Sequence, residues 1–145
     1  MLSTIKFRFT INRLFAKRDG IRHDFMAHIH KAQKDGRPQD EIRRLTTEAS
    51  MEESIINDEI ELLTTAHLVD YANRLFIPTP ERTDESMWCE SSYENRQVLT
   101  HKGISILRTA IRAEQKGQRE FFVTVLATLI GIIGAITGLV AVFHK

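Results

Sequence analysis

The stretch HDFMAHIH, residues 23–30, gathers three of the six histidines of the chain around Asp24 and is the candidate ligand cluster. On a helix, Asp24 and His28 stand at i, i+4 and His23 and His30 at i, i+7, so each pair shares a face. Zinc normally takes three or four ligands, and no second His, Cys, Asp or Glu group of matching spacing accompanies these. His28 also falls among the apolar residues of that helix, where a core histidine explains it without a metal. The reading is no metal and no cofactor. Cys89 is the single cysteine; it has no histidine beside it to activate the thiol, forms no internal disulfide and suits a reducing compartment. The sequence has neither a glycine-rich phosphate loop nor a G-x-S-x-G turn, and Glu52 and Glu53 read as a solvated face. No catalytic residue is assigned, and the chain reads as a non-enzyme.

VLTHKGISIL, Val98–Leu107, carries the pattern L-T-x-x-G-x-x-x-L. It resembles the strand-to-helix step that closes the wing in winged-helix DNA-binding domains. The segment before it is acidic (Glu81, Asp84, Glu85, Glu90, Glu94), and no compact basic recognition helix lies just upstream. Thr100 as a helix cap accounts for the same residues. Nucleic acid is therefore not expected as a partner. A membrane-tethered DNA-binding regulator is kept as an alternative function.

The remaining chemistry is apolar. The net charge of +1 and the mean hydropathy of -0.23 describe an ordinary soluble domain, but the average conceals an uneven distribution. Phe121–Phe143 contains no Asp, Glu, Lys, Arg or His. As a helix it reaches ~35 Å, enough to cross a ~30 Å hydrocarbon core. The run is at the wrong end for a signal peptide, and MLSTIKFRF lacks a signal-type apolar core. Lys102, Arg108, Arg112, Lys116 and Arg119 precede the run, and only His144 and Lys145 follow it. Flanking Lys and Arg favour the cytoplasmic side, which puts the N-terminus in the cytoplasm.

Within this region, steps of 3 and 4 from Gly103 to Ala141 pass through Gly103, Ile106, Ala110, Ala113, Gly117, Glu120, Thr124, Ala127, Gly131, Gly134, Gly138 and Ala141. Ten of these twelve are Gly, Ala or Thr. A 3.5-residue period is that of the left-handed coiled coil. Lipid tails are as apolar as leucine, so helices in a bilayer associate where small side chains let backbones come close. Gly134 and Gly138 also form a GxxxG. The association face comprises Ala110, Ala113, Gly117, Thr124, Ala127, Gly131, Gly134, Gly138 and Ala141. It implies self-association through the membrane helix, with the lipid bilayer as the other partner.

These elements need a platform. Residues 1–37 carry nine Lys/Arg and three Asp, whereas 38–61 carry eight acids and only Arg43 and Arg44. DGRPQDE between them is a stop-and-start signal, with Gly36 at a helix C′ position, Pro38 in a first turn, and Asp40 and Glu41 at the positive end of the next helix. Ile21, Phe25, His28, Ile29 and Ala32 share one face of the first arm; Ile42, Leu45, Ala49, Ile56, Ile60, Leu63 and Ala66 share one face of the second. The expectation is an antiparallel hairpin, basic arm 1–37 against acidic arm 38–77. Charge should select this pairing more than stabilise it, because an exposed ion pair contributes ~0–1 kcal/mol. Ile5, Phe7, Phe9 and Ile11 alternate with polar residues, which is strand periodicity. A helix is expected from about residue 11, Gly20 could restart it, and the first ten residues stay open. IPTPERTDES ends the second arm near Phe76. In the 78–100 linker, SMWCE and RQVL around SSYEN fit a small β-hairpin. A juxtamembrane helix, 101–120, then leads into the 121–143 span.

LVDYANRLFIPTP, MWCE and LTHKGISILRTAIRAE ahead of the terminal span resemble a loosely defined group of small uncharacterised bacterial inner-membrane proteins with a C-terminal anchor. The resemblance covers roughly residues 68–143. It implies a bacterial inner-membrane location, and that group offers no functional residue to transfer. The fold class expected is mainly α: a helical hairpin, a small β-hairpin, then a long C-terminal helix that becomes a single transmembrane span. The function expected is a membrane-anchored, non-enzymatic oligomeric scaffold or adaptor presenting the hairpin to an unidentified protein partner. A small pore-forming assembly is the second alternative, disfavoured because threonines are the only polar side chains of the span.

Overall fold

In the computed structural model, which describes residues 2–143 and the side chains of 4–137, five elements follow one another. They are α1 (Leu2–Lys34), α2 (Gln39–Arg74), β1 (Trp88–Glu90), β2 (Gln97–Leu99) and α3 (His101–Phe143). The fold is mainly helical, with the expected hairpin, two-stranded antiparallel sheet and long last helix.

The α1–α2 turn is built as DGRPQDE requires. Gly36 takes φ +65°, Arg37 N donates to Ala32 O at 3.0 Å and Gly36 N to Gln33 O at 3.2 Å. This is the Schellman arrangement, in which a left-handed residue satisfies the last carbonyls of a helix. Pro38 precedes the next helix, whose first turn holds Asp40 and Glu41.

Three expectations about the arms are corrected. The first helix starts at Leu2 instead of about residue 11, so residues 2–10, left open by the sequence, are helical, and it continues through Gly20 without a restart. The alternation at 5, 7, 9 and 11 splits by helical geometry instead. Phe7 and Ile11, four apart, turn inward, while Ile5 and Phe9 remain 65% and 73% exposed. His28 is exposed rather than part of the apolar face, and Ala66 is exposed as well. The arms also pair less through charge than expected. Among the described residues Arg22–Glu53 is the ion pair that crosses the hairpin, while Arg18–Asp19, Arg37–Glu41 and Arg44–Glu48 are local. The apolar seam of Ile11, Leu14, Ala32 and Ile56, all buried, holds the arms together.

A second core lies where α2 meets the sheet and α3. β1 pairs antiparallel with β2 in the register Trp88↔Leu99 and Glu90↔Gln97. Leu68, Ala72, Trp88, Leu99, Leu107 and Ile111 form one buried cluster. Each large member is worth several kcal/mol, since truncating a buried Leu to Ala costs ~2–5 kcal/mol. The indole Nε1 of Trp88 donates to Pro80 O at 3.1 Å, which satisfies the one polar group the ring brings inward. Two buried polar residues of α2 fix the sheet in position. Asp58 accepts from Ser91 Oγ at 2.6 Å and Ser92 N at 2.9 Å, and Thr65 Oγ1 accepts from Leu99 N at 3.0 Å.

Candidate membrane span and helix-association face

Thr100 starts α3. Its Oγ1 accepts from Gly103 N at 3.2 Å, an N-cap bond, and donates to Ser86 O at 2.8 Å. Gly103 is buried; a Cβ there would overlap the Met87 carbonyl oxygen and stand 3.0 Å from a Leu99 methyl. Leu99 and Leu107 thus pack the core, Thr100 caps the helix, and Gly103 permits the close approach of the Met87 backbone. The L-T-x-x-G-x-x-x-L pattern is accounted for by the junction it builds.

The domain occupies one side of α3, through Gly103, Leu107 and Ile111. Ala113 follows Leu107 by six residues, about 240° around the helix, and so lies on another side. Ala110 is half-buried at the edge of the contact, and Ala113, Gly117, Thr124, Ala127, Gly131 and Gly134 are all exposed. A Cβ at Gly117, Gly131 or Gly134 would meet nothing within 4 Å. The side chains at Gly138 and Ala141 lie outside the described residues. Beyond Gln115 every face of α3 is open over the described side chains, so there the seam is marked by its small residues alone. Above that point it is also marked by the domain lying on a different side.

α3 is long and apolar enough to cross a membrane, judged by length and composition. Its threonines do not leave free hydroxyls. Thr124, Thr128 and Thr137 each donate to the carbonyl four residues earlier, at 2.9, 2.9 and 2.8 Å, so the helix itself satisfies the only polar side chains of the run.

The other candidate chemistry is dispersed. His23, Asp24, His28 and His30 are scattered along the outside of α1, His23, Asp24 and His28 exposed and His30 exposed as well, and among the described residues no group of three or more His, Cys, Asp or Glu could hold a metal ion. Burial, and then the neighbouring Glu61, push the Cys89 thiol above its ordinary value, away from the thiolate form.

A further region was not legible in the sequence: the end of the domain nearest the apolar run. His67 stacks on Phe7 with ring centroids 3.8 Å apart and lies 6.2 Å from Tyr71 in near-parallel orientation. The Tyr71 hydroxyl accepts from Gln115 Nε2 at 2.6 Å. Below Tyr71, Leu75 shares a groove of about 460 Å³ with Arg119, Phe122 and Val123. The start of α1 and the middle of α3 therefore both meet the last turns of α2, Phe7 at His67, Gln115 at Tyr71 and Phe122 at Leu75.

No protein-family model matches the chain, and no curated protein and no solved structure matches it either.

Proposed function

We propose that this chain is a membrane-anchored, non-enzymatic scaffold or adaptor, with α3 spanning the bacterial inner membrane once and the N-terminal domain in the cytoplasm. Copies associate along the small-residue side of α3 and present the α1–α2 hairpin to a protein partner. The observation that carries this reading is the division of α3 into sides. The domain packs on the Gly103–Leu107–Ile111 side and leaves Ala113 and Gly117 exposed, and a second helix would follow the seam from there into the apolar run. Small residues let the backbones approach, and the many dispersion contacts so made supply the attraction that lipid cannot. The hairpin is the presenting element because α2 runs from Asp58, where the sheet is clamped, back to Gln39, a reach of ~28 Å beyond the core.

The test is crosslinking of the full chain in membranes. Gly131→Leu with Gly134→Leu should lower the crosslinked fraction, while Ile132→Leu with Ile136→Leu, off the seam, should leave it unchanged. Equal behaviour of the two pairs would reduce the stripe to composition.

A further inference from the structure

Phe76 is 95% exposed, the highest value among the exposed large hydrophobic residues described, and holds φ +56°. Ile77 N donates to Ala72 O at 2.9 Å and Phe76 N to Asn73 O at 3.1 Å, so Phe76 fills the left-handed position of a Schellman turn. Glycine takes that position without steric cost, and a bulky side chain is a true outlier there. The backbone is strained to hold an aromatic ring in the open. Strain of this kind concentrates at sites that act on something.

The ring's place in the fold says what that is. Leu75, its neighbour, lines the groove shared with Phe122 and Val123, two of the first residues of the uncharged run that begins at Phe121. Phe76 therefore stands at the height where that run begins. Arg119 lines the same groove, and Arg74, joined to Asp70 at 2.8 Å, lies two residues back. An exposed Phe flanked by cationic side chains is the pattern of a segment whose apolar side chain enters the headgroup–acyl boundary while Lys and Arg stay in water.

We infer that the end of α2 rests in the bilayer surface, with Phe76 inserted among the phospholipid headgroups as a second membrane contact beside α3. The inference depends on α3 spanning the membrane. A lipid surface is favoured over a second copy of the chain because the ring lies at the top of the chain's own apolar run. With two contacts the domain is held upright on the membrane instead of pivoting on one helix.

The test uses the full chain carrying Cys89→Ser, reconstituted into phosphatidylcholine–phosphatidylglycerol vesicles. An environment-sensitive fluorophore is attached in turn through Phe76→Cys, Ile130→Cys and Gln33→Cys. Lipids bearing shallow and deep quenchers, and aqueous iodide, are then compared. The inference expects blue-shifted emission at position 76 with loss to the shallow lipid quencher, loss at 130 to the deep one, and loss at 33 to iodide only. If 130 is quenched by lipid and 76 behaves like 33, the second contact is overturned and the span stands. If 76 is shielded from lipid and iodide alike, protein covers the ring and the lipid assignment is overturned. If 130 is not quenched by lipid, the span itself fails and the inference fails with it.

Discussion

Gly103 and Gly131 lie on the same helix and are glycine for opposite reasons. At Gly103 a neighbouring carbonyl of the same chain fills the space a methyl would need. At Gly131, as at Gly117 and Gly134, nothing of the chain comes within 4 Å of that space. In the interior of a helix in water, glycine costs ~1 kcal/mol relative to alanine. In the first case the fold requires it. In the second no contact among the described residues offsets that cost; the proposed helix contact would. The upper part of α3 is satisfied internally, and the lower part is open.

The largest test of that contrast is a single methyl. Gly103→Ala should destabilise the domain by about 1–3 kcal/mol, because the atom in the way is backbone and cannot rotate aside. Gly117→Ala should be neutral or stabilising by up to ~1 kcal/mol. Thermal unfolding of the full chain in detergent reads both through Trp88, the only tryptophan and a member of the core. Equal destabilisation by the two would erase the distinction.

The two Schellman turns extend the comparison to α1 and α2. Gly36 closes one and Phe76 the other, with the same pattern of hydrogen bonds. Phe76→Gly should stabilise the chain in detergent by ~1 kcal/mol, since the left-handed strain costs ~1–2 kcal/mol and the more flexible unfolded glycine returns part of it. Gly36→Ala should destabilise by a similar amount. A loss of stability in Phe76→Gly would mean that a contact of the ring, with the micelle or within the chain, outweighs the strain.

A smaller effect is expected where the arms meet. Arg22 and Glu53 pair on an exposed surface, so a double-mutant cycle with Arg22→Glu and Glu53→Arg should give a coupling that is small, favourable and weakened by salt. Zero coupling would leave the hairpin to its apolar seam.

The smallest is a pH effect where the start of α1 meets the end of α2. Burial, opposed by Asp70 and aided by Arg74, pushes His67 below its ordinary value. The unfolded chain then binds the proton more readily than the folded one. The contribution of His67 is complete above ~6.5 and is lost as pH falls through the lower folded value. The melting midpoint should drop on acidification, and His67→Phe should reduce the drop. An unchanged slope would remove His67 as the cause.

Local signals were readable in the sequence and contacts across the fold were not. DGRPQDE specified its turn because Gly36 and Pro38 act on their own backbone. Thr100 was legible as a cap for the same reason, and the sheet was legible from two short apolar pieces around SSYEN. The start of the chain stayed open because spacings of two and of four both occur among Ile5, Phe7, Phe9 and Ile11. The Asp58 clamp was hidden, since its partners Ser91 and Ser92 are more than thirty residues away. The small-residue seam was visible as spacing, but which side of α3 the domain would occupy depended on Leu107 and Ile111 meeting α2. Phe76 gave only the sign that a helix was stopping before Pro78.

α2 belongs to both halves of the domain. Its 36 residues run unbroken from the hairpin turn to the threshold of the strained ring at Phe76, a rod of ~54 Å. Helices bend gently and kink only for cause, and α2 has no proline or glycine inside it. Asp58 divides the rod about its middle, and beyond it Thr65 holds the sheet again while Leu68 and Ala72 pack into the core. The Gln39 half is therefore a cantilever built into the Asp58–Ala72 half, and a load on the hairpin tip is borne by that whole clamped length instead of by one joint.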